Sequence, residues 1–350
     1  VVEPGAALVL AVACVVGVAA WLEWPNFHAA VGQDRVCFVD PDDYTRVFRS
    51  RLIADGAAAR IRHLTQINYP AGAELQWTTP MDYLLLGAYR LVGLTEDAAE
   101  ARARVAALAP GVLGILYLLC MMAFLHRGFG SGPAVLAGLL TALSPAFHRV
   151  FQVGHPDHHC LLELLLLVAL GSWIPRRGRD GSPGLPTRAG AIIGGCALGM
   201  AVWVAAEAVF LWAVLAAGLT WACVFGPAAE RRVYASARFA WSCATAGVIL
   251  AGFLVENWPD LNVVAVDQIS LIHLALAGLV FLAPAKAARQ YVAATSQTPS
   301  EGPPSSRMRP SPLLLLVALA AFGAWLSLDC ARVFQYVSSP EFYRWSAQIA

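Results

Sequence analysis

Apolar runs long enough to be helices of a lipid bilayer recur along the whole chain, and they restrict its fold more than any other feature. A hydrocarbon core about 30 Å thick needs roughly 20 apolar helical residues, because inside lipid every backbone polar group must be satisfied within its own segment. Ala6–Leu22 is the first candidate; Val105–Leu125, Pro133–Phe147, Cys160–Trp173, Ala189–Val204, Ala208–Phe225, Phe239–Leu254, Ile269–Phe281 and Pro312–Leu328 follow, several of them shorter than that length. These predict an all-α polytopic membrane protein of about nine spans. Composition agrees: 58% of the residues are hydrophobic and 13% charged, where soluble domains carry about a quarter charged residues. Lys+Arg number 24 and Asp+Glu 23, so no global charge points to nucleic acid as partner. Glu3 before the first run, and Trp21 and Trp24 after it, fit a retained span with interfacial anchors rather than a cleaved leader.

Lys/Arg bias orients the spans. Arg176, Arg177, Arg179 and Arg188 follow the fourth run, Arg231, Arg232 and Arg238 the sixth, and Lys286, Arg289, Arg307 and Arg309 the eighth. These loops are expected in the cytoplasm, including a linker over 284–311 that is rich in Pro, Ser and Thr across Gln297–Ser311. The polar stretch 23–104 and the short loop 149–159 then share the outer face. Val at position 1 and an ending in mid-pattern at Ala350 lead to the expectation that 1–350 is a transmembrane fragment lacking C-terminal spans and a soluble domain. Six of the eight cysteines, among them Cys14 and Cys160, lie in apolar runs, and no pair has zinc-site CxxC spacing.

A polar stretch as long as 23–104 must fold on the membrane surface. Within it Asp40, Asp42 and Asp43 crowd the start of Tyr44–Ile61, whose apolar Tyr44, Val47, Phe48 and Leu52 suit an amphipathic interfacial helix. The acids are either helix caps or, being more numerous than capping requires, the complement of a cation. Arg46, Arg49 and Arg51 either snorkel to lipid headgroups or clamp phosphate oxygens. Trp77 and Tyr83 read as interfacial anchors, with Asn68–Gly72 as a turn.

The densest chemistry is Gly154-His155-Pro156-Asp157-His158-His159, directly before an apolar run. Ionisable residues at that boundary are costly and default to function. Pro156 predicts a helix that starts at or after it. With Asp157–His159 extended, Asp157 and His159 point the same way and chelate one ion; Asp157 as N-cap and His158 as a surface histidine are the bland readings. Glu163 either orients the His159 imidazole or meets a neighbouring helix. A carboxylate–imidazole set joined by Asp42 suits Mn²⁺ or Mg²⁺, with Zn²⁺ also compatible.

These segments together resemble the catalytic subunit family of oligosaccharyltransferases, membrane glycosyltransferases of the type-C fold. The resemblance covers Val36–Leu166: Asp42-Asp43-Tyr44; Tyr69, Pro70, Gly72, Trp77 and Asp82; then Gly154, Asp157, His158, His159 and Glu163. It implies that Asp42, Asp157 and His159 hold the metal, with Asp43 replacing Asp42 if the register shifts by one. It also implies transfer of a glycan from a polyprenyl-phosphate carrier to an acceptor, protein asparagine in that family, on the external face of a bacterial or archaeal membrane. The family's third acid, after its ninth span, has no counterpart in Asp329 or Glu341, and its WWDxG acceptor motif does not occur. The 350-residue chain alone is therefore expected not to transfer sugar. The sequence has no GxGxxG or GxxxxGK[ST] for a soluble nucleotide donor. The competing class is a secondary transporter using the His/Asp group for protons or metal; such proteins place ionisable groups at the bilayer midplane and carry inverted repeats, neither of which is seen.

Overall fold

The computed structural model describes residues 4–292 except 33–34, 67–69, 71, 76–77, 92–97, 176–183, 226, 266–267, 283–284, 287–288 and 291. The ninth expected run, most of the linker, Trp77, Asn68, Asp329 and Glu341 lie outside those residues. The described residues are mostly helical. In chain order they form α1 (Pro4–Val31), α2 (Pro41–Ala54), β1 (His63–Leu64), β2 (Ala73–Glu74), α3 (Pro80–Leu91), α4 (Ala98–Phe129), α5 (Ser131–Ala142) and α6 (Pro145–Val150). Then come α7 (His158–Gly171), α8 (Arg188–Val204), a short 3₁₀ turn, α9 (Val209–Phe225), α10 (Ala228–Asn257) and α11 (Leu271–Ala275), which continues as a π-helical segment Leu276–Leu282.

Among the described residues, four helical stretches are long and apolar enough to cross a membrane: Ala6–Val31, Ala99–Phe129, Ala206–Cys223 and Glu230–Asn257. Their outward faces stay apolar, as lipid-facing surfaces must: Val9, Leu10, Trp21, Val112, Val214 and Leu250 are all exposed. The helices run past the apolar windows at both ends. α1 continues through Pro25 to Val31 and α4 begins at Ala98, so helical backbone occupies both margins of the expected outer stretch. The expected third span is two helices, because Pro145 biases Ser144 out of the helical region (ψ 125°) and opens α6 as a separate turn.

Small residues set the packing between spans. A Cβ on Gly195 of α8 would lie 2.5 Å from the Trp241 carbonyl of α10, and one on Gly199 2.7 Å from Val248 Cβ. The backbones can approach only because those side chains are absent. Thr245 of α10 adds a hydrogen bond, its Oγ1 donating to the Gly195 carbonyl at 3.1 Å.

The segment between α1 and α4 is tied to the end of α10 by a buried carboxylate. One oxygen of Glu256 accepts from the Thr79 N–H at 2.7 Å, the Thr79 hydroxyl at 2.6 Å and the Trp203 indole at 2.8 Å. Arg62 Nη2 donates to the Glu256 carbonyl and to Asn257 Oδ1, both at 3.2 Å. The start of α3, the end of α8 and the end of α10 therefore move as one unit, which is the platform under α2.

The helix expected from Tyr44 forms as α2, and the side it turns to the protein is charged. Its inward face is Asp43, Arg46, Arg49, Ser50 and Ile53, whereas Tyr44 and Phe48 are exposed. The helix also stops at Ala54 rather than continuing to Ile61, with Gly56 at φ +81° turning the chain away. Arg49 and Asp82 of α3 form an ion pair with both side chains wholly inaccessible, and Arg49 also donates to the Thr78 carbonyl at 2.9 Å. Ser50 and Tyr89 hydroxyls meet at 3.1 Å beside them. α2 packs on α3 through charges that neutralise each other, a contact its apolar pattern does not show.

Candidate active site

Two segments 112 residues apart converge at the start of α2. Asp40, in extended conformation, caps that helix: its Oδ1 accepts from the Asp42 and Asp43 N–H groups at 2.9 and 3.1 Å. Asp43 completes the capping box, its Oδ2 accepting from the Asp40 N–H at 3.1 Å. The same Oδ2 meets His155 Nδ1 at 2.9 Å, and Asp40 Oδ2 lies 3.5 Å from that nitrogen. The backbone makes the same junction, with Val39 N–H donating to the Gly154 carbonyl at 3.0 Å and Gly154 N–H to that of Ala107 at 2.8 Å.

Gly154 sits at φ +89°, where an added Cβ would lie 2.8 Å from Ala30 Cβ. Gly154→Ala combines left-handed strain with that clash and is expected to lower stability by about 1–3 kcal/mol, read as an earlier thermal transition in detergent. An unchanged transition would mean that this junction relaxes freely.

Beyond the junction α7 starts at His158, as Pro156 requires, and Asp157 is its extended N-cap. Asp157 gathers both neighbouring imidazoles: Oδ1 meets His158 Nδ1 at 2.6 Å and Oδ2 meets His159 Nδ1. Asp157 alone is extended; His158 and His159 are already helical, and their proximity comes from both rings folding back over the cap. Arg46, buried on α2, reaches Asp157 Oδ1 at 3.5 Å and His158 Nδ1 at 3.2 Å. Burial alone pushes the Asp157 carboxyl up, but the hydrogen bonds of His158 and His159 and the charges of His158 and Arg46 outweigh it. They hold Asp157 well below the usual carboxylate range, ionised at any physiological pH. The Asp43 hydrogen bond, opposed by burial, raises the His155 pKa.

Asp42 projects from the first turn of α2, exposed, and belongs to neither histidine cluster. Partial burial comes first in raising its pKa, and the charges of Asp40, Asp157 and Asp43 add to this against Arg46. The Asp157 carboxylate is thus close enough to act on it. Glu163 takes the second of its two expected settings: its charge acts on Tyr117 of α4, and the carboxylate against His159 is Asp157.

Among the described residues, two groups have the donor set of a divalent metal site, with one ligand atom from each residue within 4.8 Å of the others: Asp157, His158 and His159, and Asp40, Asp43 and His155. An ionised carboxylate with two imidazoles fits Mn²⁺ or Zn²⁺ chemistry. His155 is the site residue to which the sequence gave no role of its own. Asp before Pro41 was a visible N-cap signal, but nothing in the sequence pairs His155 with Asp43.

The profile of the family described as oligosaccharyl transferase STT3, N-terminal, matches residues 35–298. The chain belongs to that family. Among solved structures, the apo Archaeoglobus fulgidus oligosaccharyltransferase is similar at TM-score 0.71 and 19% identity over 96% of this chain and 38% of that one. The A. fulgidus oligosaccharyltransferase AglB in complex with an inhibitory peptide and a dolichol-phosphate is similar at TM-score 0.69 and 18% identity, over 95% of this chain and 39% of that one. The A. fulgidus enzyme in complex with Zn and sulfate gives TM-score 0.66 and 18% identity, over 94% and 40%. At these identities the likeness is one of fold, and the STT3-family chain spans about two fifths of those proteins' length. No curated protein matches it.

Proposed function

We propose that this STT3-family chain is the membrane part of an oligosaccharyltransferase that moves a glycan from a polyprenyl-phosphate carrier to the side-chain nitrogen of an acceptor asparagine. Family membership supports the transferase chemistry, and the peptide and dolichol-phosphate bound by AglB support the two substrate classes. The observation that carries the reading is the meeting of the start of α2 with the 154–159 segment, where His155 contacts Asp43 and Arg46 contacts Asp157, as expected of a site placed where two membrane-surface segments meet. The chain is read as multi-pass, with about nine spans, 23–104 and 149–159 on the external face of a bacterial or archaeal membrane, and 284–311 as a cytoplasmic linker.

A divalent cation, Mn²⁺ or Mg²⁺, would be held by Asp42, Asp157 and His159, with His158 and Asp40 as the nearest further donors. Its chemistry there is to neutralise charge on the departing phosphate. The zinc complex of the A. fulgidus enzyme supports a divalent site. The chain's own residues do the rest. Arg46 fixes the Asp157 carboxylate from beneath, and Asp157 orients both imidazoles through their Nδ1 atoms, leaving Nε2 as the outward nitrogen of each. Asp42, exposed at the helix start, is positioned to face the acceptor amide and take its hydrogen bond.

Membranes from cells expressing the complete gene, given a polyprenyl-linked glycan and a fluorescent peptide with an Asn-X-Thr sequence, are the test; residues 1–350 alone are expected to transfer none. Glycopeptide formation that stops with chelator and resumes with Mn²⁺ is expected. Transfer to lipid or hydroxyl acceptors in place of the peptide would reassign the acceptor, and chelator-resistant transfer would remove the metal from the mechanism.

A further inference from the structure

The opposite end of the bundle holds groups that this centre does not use. α7 begins beside Asp157 and spends 14 residues, about 20 Å of helix, reaching Gly171. There Arg238, expected in a loop together with Arg231 and Arg232, lies with them in α10 and has 2% of its surface exposed. Its Nε and Nη1 are buried without a hydrogen-bond partner. One turn on, on the same helical face, Ser242 is 1% exposed and its Oγ is likewise unpartnered. Trp241 is wholly buried, and Trp173, just beyond α7, packs edge-on against it with ring centroids 6.1 Å apart. The indole N–H groups of both are buried and unpartnered.

Buried polar groups in folded proteins are almost always satisfied, and a buried charge without a counter-charge is the costliest exception. All four residues present donors, so the absent partner is an acceptor. Water supplies acceptor oxygens but no negative charge, and among the described residues no carboxylate pairs with the guanidinium. Glu230, in the first turn of α10, acts instead on Tyr234. Several oxygens on one anionic centre answer both requirements, and guanidinium with hydroxyl and indole N–H groups is a phosphate-binding chemistry. Arg188 opens α8 at this same end, and Arg289 stacks on Phe239 with its guanidinium 5.0 Å from the ring centre, so the surroundings are basic. The partial exposure of Trp173 leaves the group open on one side.

We propose that Arg238, Ser242, Trp173 and Trp241 bind a phosphate group, supplied by an anionic phospholipid headgroup at the arginine-rich end of the bundle. The site is independent of the transferase centre and of the function proposed for it.

Native mass spectrometry of the full chain, with phosphatidylglycerol or phosphate-free diacylglycerol as probes and inorganic phosphate in a parallel thermal-shift arm, tests this. The wild type is expected to retain one phosphatidylglycerol and no diacylglycerol. R238Q should lower retention about tenfold or more, S242A several-fold, and R238K less than R238Q, since each removes a charge-assisted or neutral hydrogen bond. Stabilisation by inorganic phosphate without phosphatidylglycerol retention would keep the phosphate chemistry and overturn the lipid as its source. Equal retention by R238Q and wild type, or a wild type indifferent to both probes, would overturn the site. If R238Q does not fold, S242A and W173F make the same comparison.

Discussion

Asp157→Ala is expected to lower glycan transfer by at least about a hundredfold and to weaken Mn²⁺ binding in parallel, the scale seen when a ligand or an oriented charge is lost from a metal-assisted site. The carboxylate does three things at once: it caps α7 at the His158 N–H, holds the His158 and His159 rings, and faces the buried Arg46. The cap alone is worth about 1 kcal/mol. Asp157→Asn separates the roles, because the amide oxygen still accepts from the His158 N–H while the charge is gone. It should fold like the wild type and remain inactive. Manganese titration followed by electron paramagnetic resonance, beside thermal unfolding, reads both. Wild-type metal affinity in Asp157→Asn would remove Asp157 from the ligand set while leaving its structural role intact.

The largest stability effect is expected at the platform beneath the site. Asp82→Ala leaves the Arg49 guanidinium, fully inaccessible, without its carboxylate. Breaking such a pair by removing one partner costs about 3–5 kcal/mol, and a midpoint of thermal unfolding lower by roughly 10 °C is the outcome sought. The double change Arg49→Met with Asp82→Leu replaces the pair by apolar volume and should recover most of that loss. Activity is a separate readout. α2 carries Asp42, Asp43 and Arg46 on the same helix as Arg49. A stable double variant that transfers glycan poorly would show that the ion pair sets the placement of α2; full activity would show that it serves stability only.

Much of this was legible in the chain. Apolar runs fix the helical segments because lipid and protein interior both demand satisfied backbone, and that demand is local. Pro156 set the start of α7 for the same reason: a ring that fixes φ and lacks an N–H acts on its own neighbours. The family motifs are likewise strings of adjacent residues, and residues 35–298 confirm the membership they imply. Where the sequence misled, the deciding partner lay far along the chain. Arg49 read as a snorkelling or phosphate-clamping cation, yet Asp82, 33 residues beyond it, pairs with it in the interior. Arg238 read as a loop cation, yet helix packing draws it inside. His155 meets Asp43 across 112 residues. A residue's own neighbours determine whether its backbone is helical; which face is buried, which charges meet and which carboxylate stays ionised depend on desolvation and on charges that only tertiary folding brings within a few ångströms.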